Sequence, residues 1–202
     1  MTGLDLADLE AAVREGLARA RSAVAGLVGA DVEAELEAIA SGDALTSGGP
    51  WAASDEAGWG LCTRFRGDLE GYCLLLIDER VAGQWLEVLL EPLGLTPEVR
   101  ARVQLEPPAR LLEQEPFASA LLELGNVMIG GFLSGVADRL HSVIEPLPPL
   151  GAHDLLGALV GTVLAGVAAE TRRAIHVSAR FTVGGRDWVA RLILLPVTPG
   201  DA

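Results

Sequence analysis

The sequence predicts an α/β protein built as a pseudo-twofold duplication, a sheet made of two hairpins covered on one face by two long helices. Three observations lead there. A long helical pattern of apolar residues occurs twice, near the N-terminus and again past the middle of the chain. Each is followed by a pair of strand-like runs, and the second runs of the two pairs, YCLLLID and ARLILLP, resemble each other. Two helix-then-hairpin units in one chain bury their apolar faces most simply against one another.

Each element has a local reason. From Leu4 to about Val28, the residues Leu6, Leu9, Ala12, Leu17, Ala20, Val24 and Leu27 keep helical spacing, and Gly29 offers a stop. DVEAELEAIA, Asp31 to Ala40, alternates apolar and acidic residues with period two and reads as a strand, although Ala, Glu and Leu are good helix formers. Ser41 to Ala57, rich in Gly, Ser and Asp, reads as a loop. GLCTRFRG and EGYCLLLIDE form the first hairpin, its second strand apolar enough to be covered on both faces. RVAGQWLEVLLEPL is a helical run leading into a proline-rich connector around Glu106 to Pro108. The second half, 106–202, repeats the order of the first, 1–105, within one domain of 1–202. It has a long helix at about Phe117 to Leu140, a short strand at SVIEPL and an inserted helix at about His153 to Ala169. The second hairpin follows, with Ile175, Val177, Ala179, Phe181 and Val183 alternating against His176, Ser178, Arg180 and Thr182, and Gly184-Gly185 at its turn.

Composition narrows the function. The 202 residues are 50% hydrophobic, enough for one sizeable core, and the net charge is -13 with every cation except histidine an arginine. Such a balance repels nucleic acid and anionic lipid, so neither a nucleic-acid nor a membrane role is expected. MTGLDLADLE carries no basic stretch ahead of an apolar one, and the longest apolar run, Leu155 to Ala169, is too short to span a bilayer, which predicts a cytoplasmic chain. Cys62 and Cys73 form no CxxC pair and fall in apolar strands, where buried free thiols are expected. His141, His153 and His176 lack metal-ligand spacing, and no glycine-rich phosphate loop is present, so no metal or cofactor of its own is expected. The four tryptophans read as core or partner contacts.

One stretch resists a purely structural reading. ELGNVMIGG, Glu123 to Gly131, puts three glycines, a Glu and an Asn inside the second long helix, although each glycine costs about 1 kcal/mol of helix propensity relative to alanine. Glu123 and Asn126 are three residues apart, so on a helix they share a face and could act on one target. Glycines at 125, 130, 131 and 135 would thin that face and admit a partner. On these residues alone a second reading stands beside it: the helix ends at Gly125-Asn126, both common at C-caps, with Glu123 merely solvated.

The stretch resembles the signature of the CheC-type phosphatases of chemotaxis, the family of CheC, CheX and FliY. Their pattern is Asp or Ser, three residues, Glu, two residues, Asn, twenty-two residues, Pro, and Ser119, Glu123, Asn126 and Pro149 stand at that spacing. The resemblance covers nearly the whole chain and implies the CheC-like duplicated fold. The first long helix keeps Glu15 but has Ala18 where a second Asn would stand and Ala11 where the Ser or Asp would, which implies that a first site is dead.

The implied activity is hydrolysis of the phospho-aspartate of a CheY-like response regulator. Such a regulator supplies Mg²⁺ and its own lysine to the phosphoryl oxygens, and the phosphatase orients one attacking water. By the resemblance, Asn126 would orient that water and Glu123 would pair with the regulator's lysine, with Ser119, Gly125 and Pro149 as motif or structural positions. A carboxamide suits the task, because its C=O accepts from water while its NH₂ donates nearby. The same resemblance also leaves open a non-catalytic binding module that docks a response regulator, CheD or a flagellar switch protein.

Overall fold

The structure is a computed structural model that describes residues 6–43, 51–90, 96, 98–99, 101–102, 106, 110 and 114–197. The proline-rich connector expected around Glu106 to Pro108 lies outside the described residues except for Glu106. The elements are α1 (Leu6–Val28), β1 (Val32–Asp43), β2 (Ala57–Gly67), β3 (Glu70–Asp78), α2 (Glu79–Leu90), α3 (Phe117–Leu140), β4 (Ile144–Pro146), β5 (Leu150–Leu155), α4 (Leu156–Val167), β6 (Arg173–Val183) and β7 (Arg186–Val197).

The strands form one seven-stranded sheet in the order β1-β6-β7-β3-β2-β4, with β5 also paired to β2, and every pairing is antiparallel. The order exposes the duplication. β7 and β3 pair at the centre, β6 and β2 flank them, and β1 and β4 lie outermost, so each hairpin carries the short or edge strand of the other half. The two similar runs seen in the sequence are these central strands, with Tyr72 opposite Leu195 and Leu74 opposite Ile193. Side-chain alternation explains why both are apolar throughout: β3 residues Cys73, Leu75 and Ile77 join the core under α1 and α3, while Leu74 and Leu76 join a second cluster on the opposite face.

The two faces are covered differently. α1, α2 and α3 pack on one, where Trp85 and Trp188 meet with ring centroids 3.9 Å apart. α4 covers part of the other through Leu156, Leu159, Val160 and Val167. By length and composition α3 alone among the described helices could cross a membrane. Its buried residues, Leu121, Leu124, Met128, Ile129, Phe132 and Leu133 among them, are in the protein core.

Two boundaries differ from expectation. The strand read at Asp31 to Ala40 runs on to Asp43, because pairing with β6 continues to Asp43↔Arg173, so Ser41 to Asp43 are strand rather than the expected loop, of which 44–50 lie outside the described residues. The inserted helix does not begin at His153. Residues 150–155 are drawn into the sheet by pairing with β2, Trp59 opposite His153, and the helix starts at Leu156. Leu155 is extended and its side chain does not cap the helix, so no capping residue marks the start. At the β6–β7 turn, Gly184 and Gly185 have φ of 57° and 74°, the left-handed values a two-residue hairpin turn demands.

Candidate functional site

α3 is one unbroken helix through Gly125 and Asn126, so the C-cap reading of those residues is excluded. It ends at His141, a left-handed residue with φ 51° whose N–H donates to the carbonyl of Asp138. Ser119, Glu123 and Asn126 are all exposed and lie on one face of the N-terminal half. The Ser119 hydroxyl donates to the Glu115 carboxylate at 2.6 Å. The side chains of Glu123 and Asn126 make no hydrogen bond or ion pair with the described residues. A carboxylate and a carboxamide thus stand one turn apart with their polar atoms uncommitted to any described residue. Exposed on a helix face, the pair is placed to act on a group brought to it from outside.

The fourth motif position lies elsewhere. Pro149 is half-buried in the connection between β4 and β5, two residues before Gly151. A Cβ placed on Gly151 would lie 2.8 Å from Leu122 Cδ2, so this connection leads directly under the helix turn that carries Glu123.

The glycines correct an expectation. Three of the four do not open the exposed face; they let α3 seat closely on the protein itself. A Cβ on Gly125 would fall 2.4 Å from Leu61 Cδ2 of β2. One on Gly131 would fall 2.9 Å from the Ala20 Cα, and one on Gly135 only 2.4 Å from the Glu15 carbonyl oxygen. α1 reciprocates through Gly16, whose added Cβ would meet the Phe132 ring at 2.8 Å. The two long helices therefore nest backbone to backbone. Gly130 alone of the four has nothing within 4 Å of such a Cβ.

The equivalent place on α1 is chemically different. Glu15 and Ala18 are exposed there, but Arg19 Nε lies 3.8 Å from the Glu15 carboxylate, and Arg19 Nη2 donates to Asp138 Oδ2 at 2.7 Å. One carboxylate is thus engaged within the protein, and the other, Glu123, is engaged by no described residue. Sequence reading identified the missing Asn but not this arginine, because the partner that fixes it lies on the other helix.

His176 is buried with its ring 5.4 Å from that of Trp51, and His153 Nε2 is 3.7 Å from Glu79. Cys62 and Cys73 sit on paired strands but join the clusters on opposite faces of the sheet, and both are free thiols. Burial pushes the Cys62 thiol up from 9.0 to about 11, and raises Cys73 further.

No protein-family model matches the chain. Solved structures of the same fold do. FliY of Thermotoga maritima is 12% identical, with 96% of this chain and 92% of that one covered at a TM-score of 0.72. The middle domain of FliM from Vibrio alginolyticus is 14% identical, with 93% of each chain covered and a TM-score of 0.57. A third match belongs to the FliG–FliM complex of H. pylori, 10% identical over 95% of this chain and 94% of that one, with a TM-score of 0.53. The chain thus has the fold of FliY and the FliM middle domain, the duplicated CheC-like α/β architecture to which its sequence pointed.

Proposed function

We propose that this chain is a phosphatase for the phospho-aspartate of a CheY-like response regulator, acting in chemotaxis or related two-component signalling. One observation carries the reading: Glu123 and Asn126 are exposed one turn apart on a rigidly seated helix, uncommitted to any described residue, at the spacing of the CheC-type signature. In this reading α3 lies against the regulator's phosphorylation site. The Asn126 carboxamide accepts a hydrogen bond from water and holds it in line with the phosphorus–oxygen bond to be broken, with Mg²⁺ and a lysine supplied by the regulator. Glu123 pairs with that lysine and fixes the register of the approach. Helix α3 suits the role because positioning is the whole of the chemistry, and its site half is held on both flanks by close packing.

A second reading has its own observation. The chain shares its fold with FliM middle domains, one of which is seen in a complex with FliG, so a purely docking role in a flagellar or signalling assembly is the alternative. Decay of phosphate from purified CheY-like regulators in Mg²⁺ buffer separates the two. Acceleration by the protein supports the phosphatase. Measurable binding to a regulator with no acceleration assigns the chain to the docking class.

A further inference from the structure

The N-terminal half of α3 rests on the sheet through two contacts, each made by the residue just before a site residue. Gly125, just before Asn126, sits on Leu61 of β2, and Leu122, just before Glu123, sits over Gly151 of β5. Leu61 and Gly151 are register partners, so both contacts fall on a single rung across β2 and β5. The floor under that rung is hard. Leu61 is fully buried and Trp59, whose Cζ3 would lie 2.8 Å from a Cβ at 151, is 6% exposed. Gly151 itself is exposed, and its φ lies outside the left-handed region, so neither burial nor backbone conformation calls for glycine there. What calls for it is the space taken by Leu122 and Trp59.

We infer that Gly151 is a positioning residue for the site: the bare backbone at this rung sets the height of the helix turn carrying Glu123 and Asn126. The inference rests on the reading of α3 as the phosphatase helix. A methyl group at 151 meets the ends of two side chains, half-buried Leu122 and buried Trp59, each at 2.8 Å; Trp59 is held by the core, so Leu122 gives way and carries its turn with it, and a displacement of order 1 Å is enough to lower a rate that depends on one oriented water. The same geometry gives β4, β5 and the proline-rich connection between them a function: they bring Gly151 to the flank of the helix.

The test is a cycle of four proteins: wild type, Gly151→Ala, Leu122→Ala and the double variant. Two readouts are taken, kcat and KM for phosphate release from a purified phosphorylated CheY-like regulator, and the Asn126 side-chain NH₂ resonances of the protein alone. Gly151→Ala should lower kcat about tenfold or more with KM changed less than about twofold, and should shift the Asn126 resonances. Leu122→Ala removes the group against which the wedge pushes, so the double variant should return to the kcat of Leu122→Ala and to its Asn126 resonances. An unchanged kcat in Gly151→Ala, or a double variant no better than Gly151→Ala, overturns the inference. If wild type accelerates no regulator, the phosphatase reading fails, and the resonances decide the positioning separately: a shift reversed by Leu122→Ala upholds it, and no shift overturns it.

Discussion

Two alanine substitutions five residues apart on α3 should move stability in opposite directions. At Gly130 an added methyl meets nothing within 4 Å, so the only effect is removal of a glycine from a helix interior, a gain of about 0.5–1 kcal/mol. At Gly135 the same gain is overwhelmed. The methyl would sit 2.4 Å from the Glu15 carbonyl oxygen and 2.7 Å from the Gly16 Cα, against an ordinary separation of about 3.5 Å, and both obstacles are backbone. Relief requires α1 and α3 to part by about 1 Å along their contact, at an overpacking cost of about 1–3 kcal/mol or more. Further contacts are lost where Phe132 packs on Gly16 and Ala20 on Gly131. The net expectation is a loss of about 2 kcal/mol. For a chain of this length 1 kcal/mol shifts Tm by about 2–4 °C, so thermal unfolding should show Gly130→Ala a few degrees above wild type and Gly135→Ala about 4–8 °C below it. A neutral Gly135→Ala, or a Gly130→Ala that destabilises as much, would refute the account of these glycines as seats for the helix pair.

Other expectations follow from the same geometry. Glu123→Ala should lower kcat/KM toward a phosphorylated regulator about 30-fold, the loss of about 2 kcal/mol from an interfacial charge pair, and steady-state assays check it. Ala18→Asn should not create a second site while Arg19 stays beside Glu15 and bonded to Asp138; a doubled rate per chain would contradict that. Cys62 should resist a thiol reagent at pH 8, since its folded pKa is raised to about 11 by burial. Because the folded state holds that proton more tightly, its contribution to stability is full below pH 9 and declines as pH rises toward 11, which urea titrations across that window would reveal.

Much of this architecture is legible because it is periodic. The apolar stripe of α1 and the acidic alternation of β1 each report a single covered face, and the structure places helix and strand accordingly; the alternation of β6 marks a strand, but Ala174 and His176 are buried on its other face as well. β5 is not legible. LGAHDL has no alternation of its own and becomes a strand because β2 presents an edge, so its first residues carry no assignment in the sequence and its last read as helix. The site divides the same way. Ser119, Glu123 and Asn126 are readable because they lie on one element at fixed spacing. The roles of Gly125, Gly131, Gly135, Gly151 and Arg19 depend on what faces them from other elements: Leu61, Ala20, Glu15, Leu122 and Asp138. A glycine required by a neighbour is indistinguishable in sequence from one that thins a surface.

The central claim is that a single uncommitted carboxamide does the chemistry. Its most direct test compares wild type with Asn126→Ala in two measurements on one regulator, binding to the phosphorylated form and acceleration of phosphate loss. Asn126 is exposed and its side chain makes no hydrogen bond or ion pair with the described residues, so the variant should fold and bind as wild type does, while acceleration falls about 10²- to 10³-fold, as on deletion of a preorganised polar group. Asn126→Ala that still accelerates phosphate loss would contradict the claim.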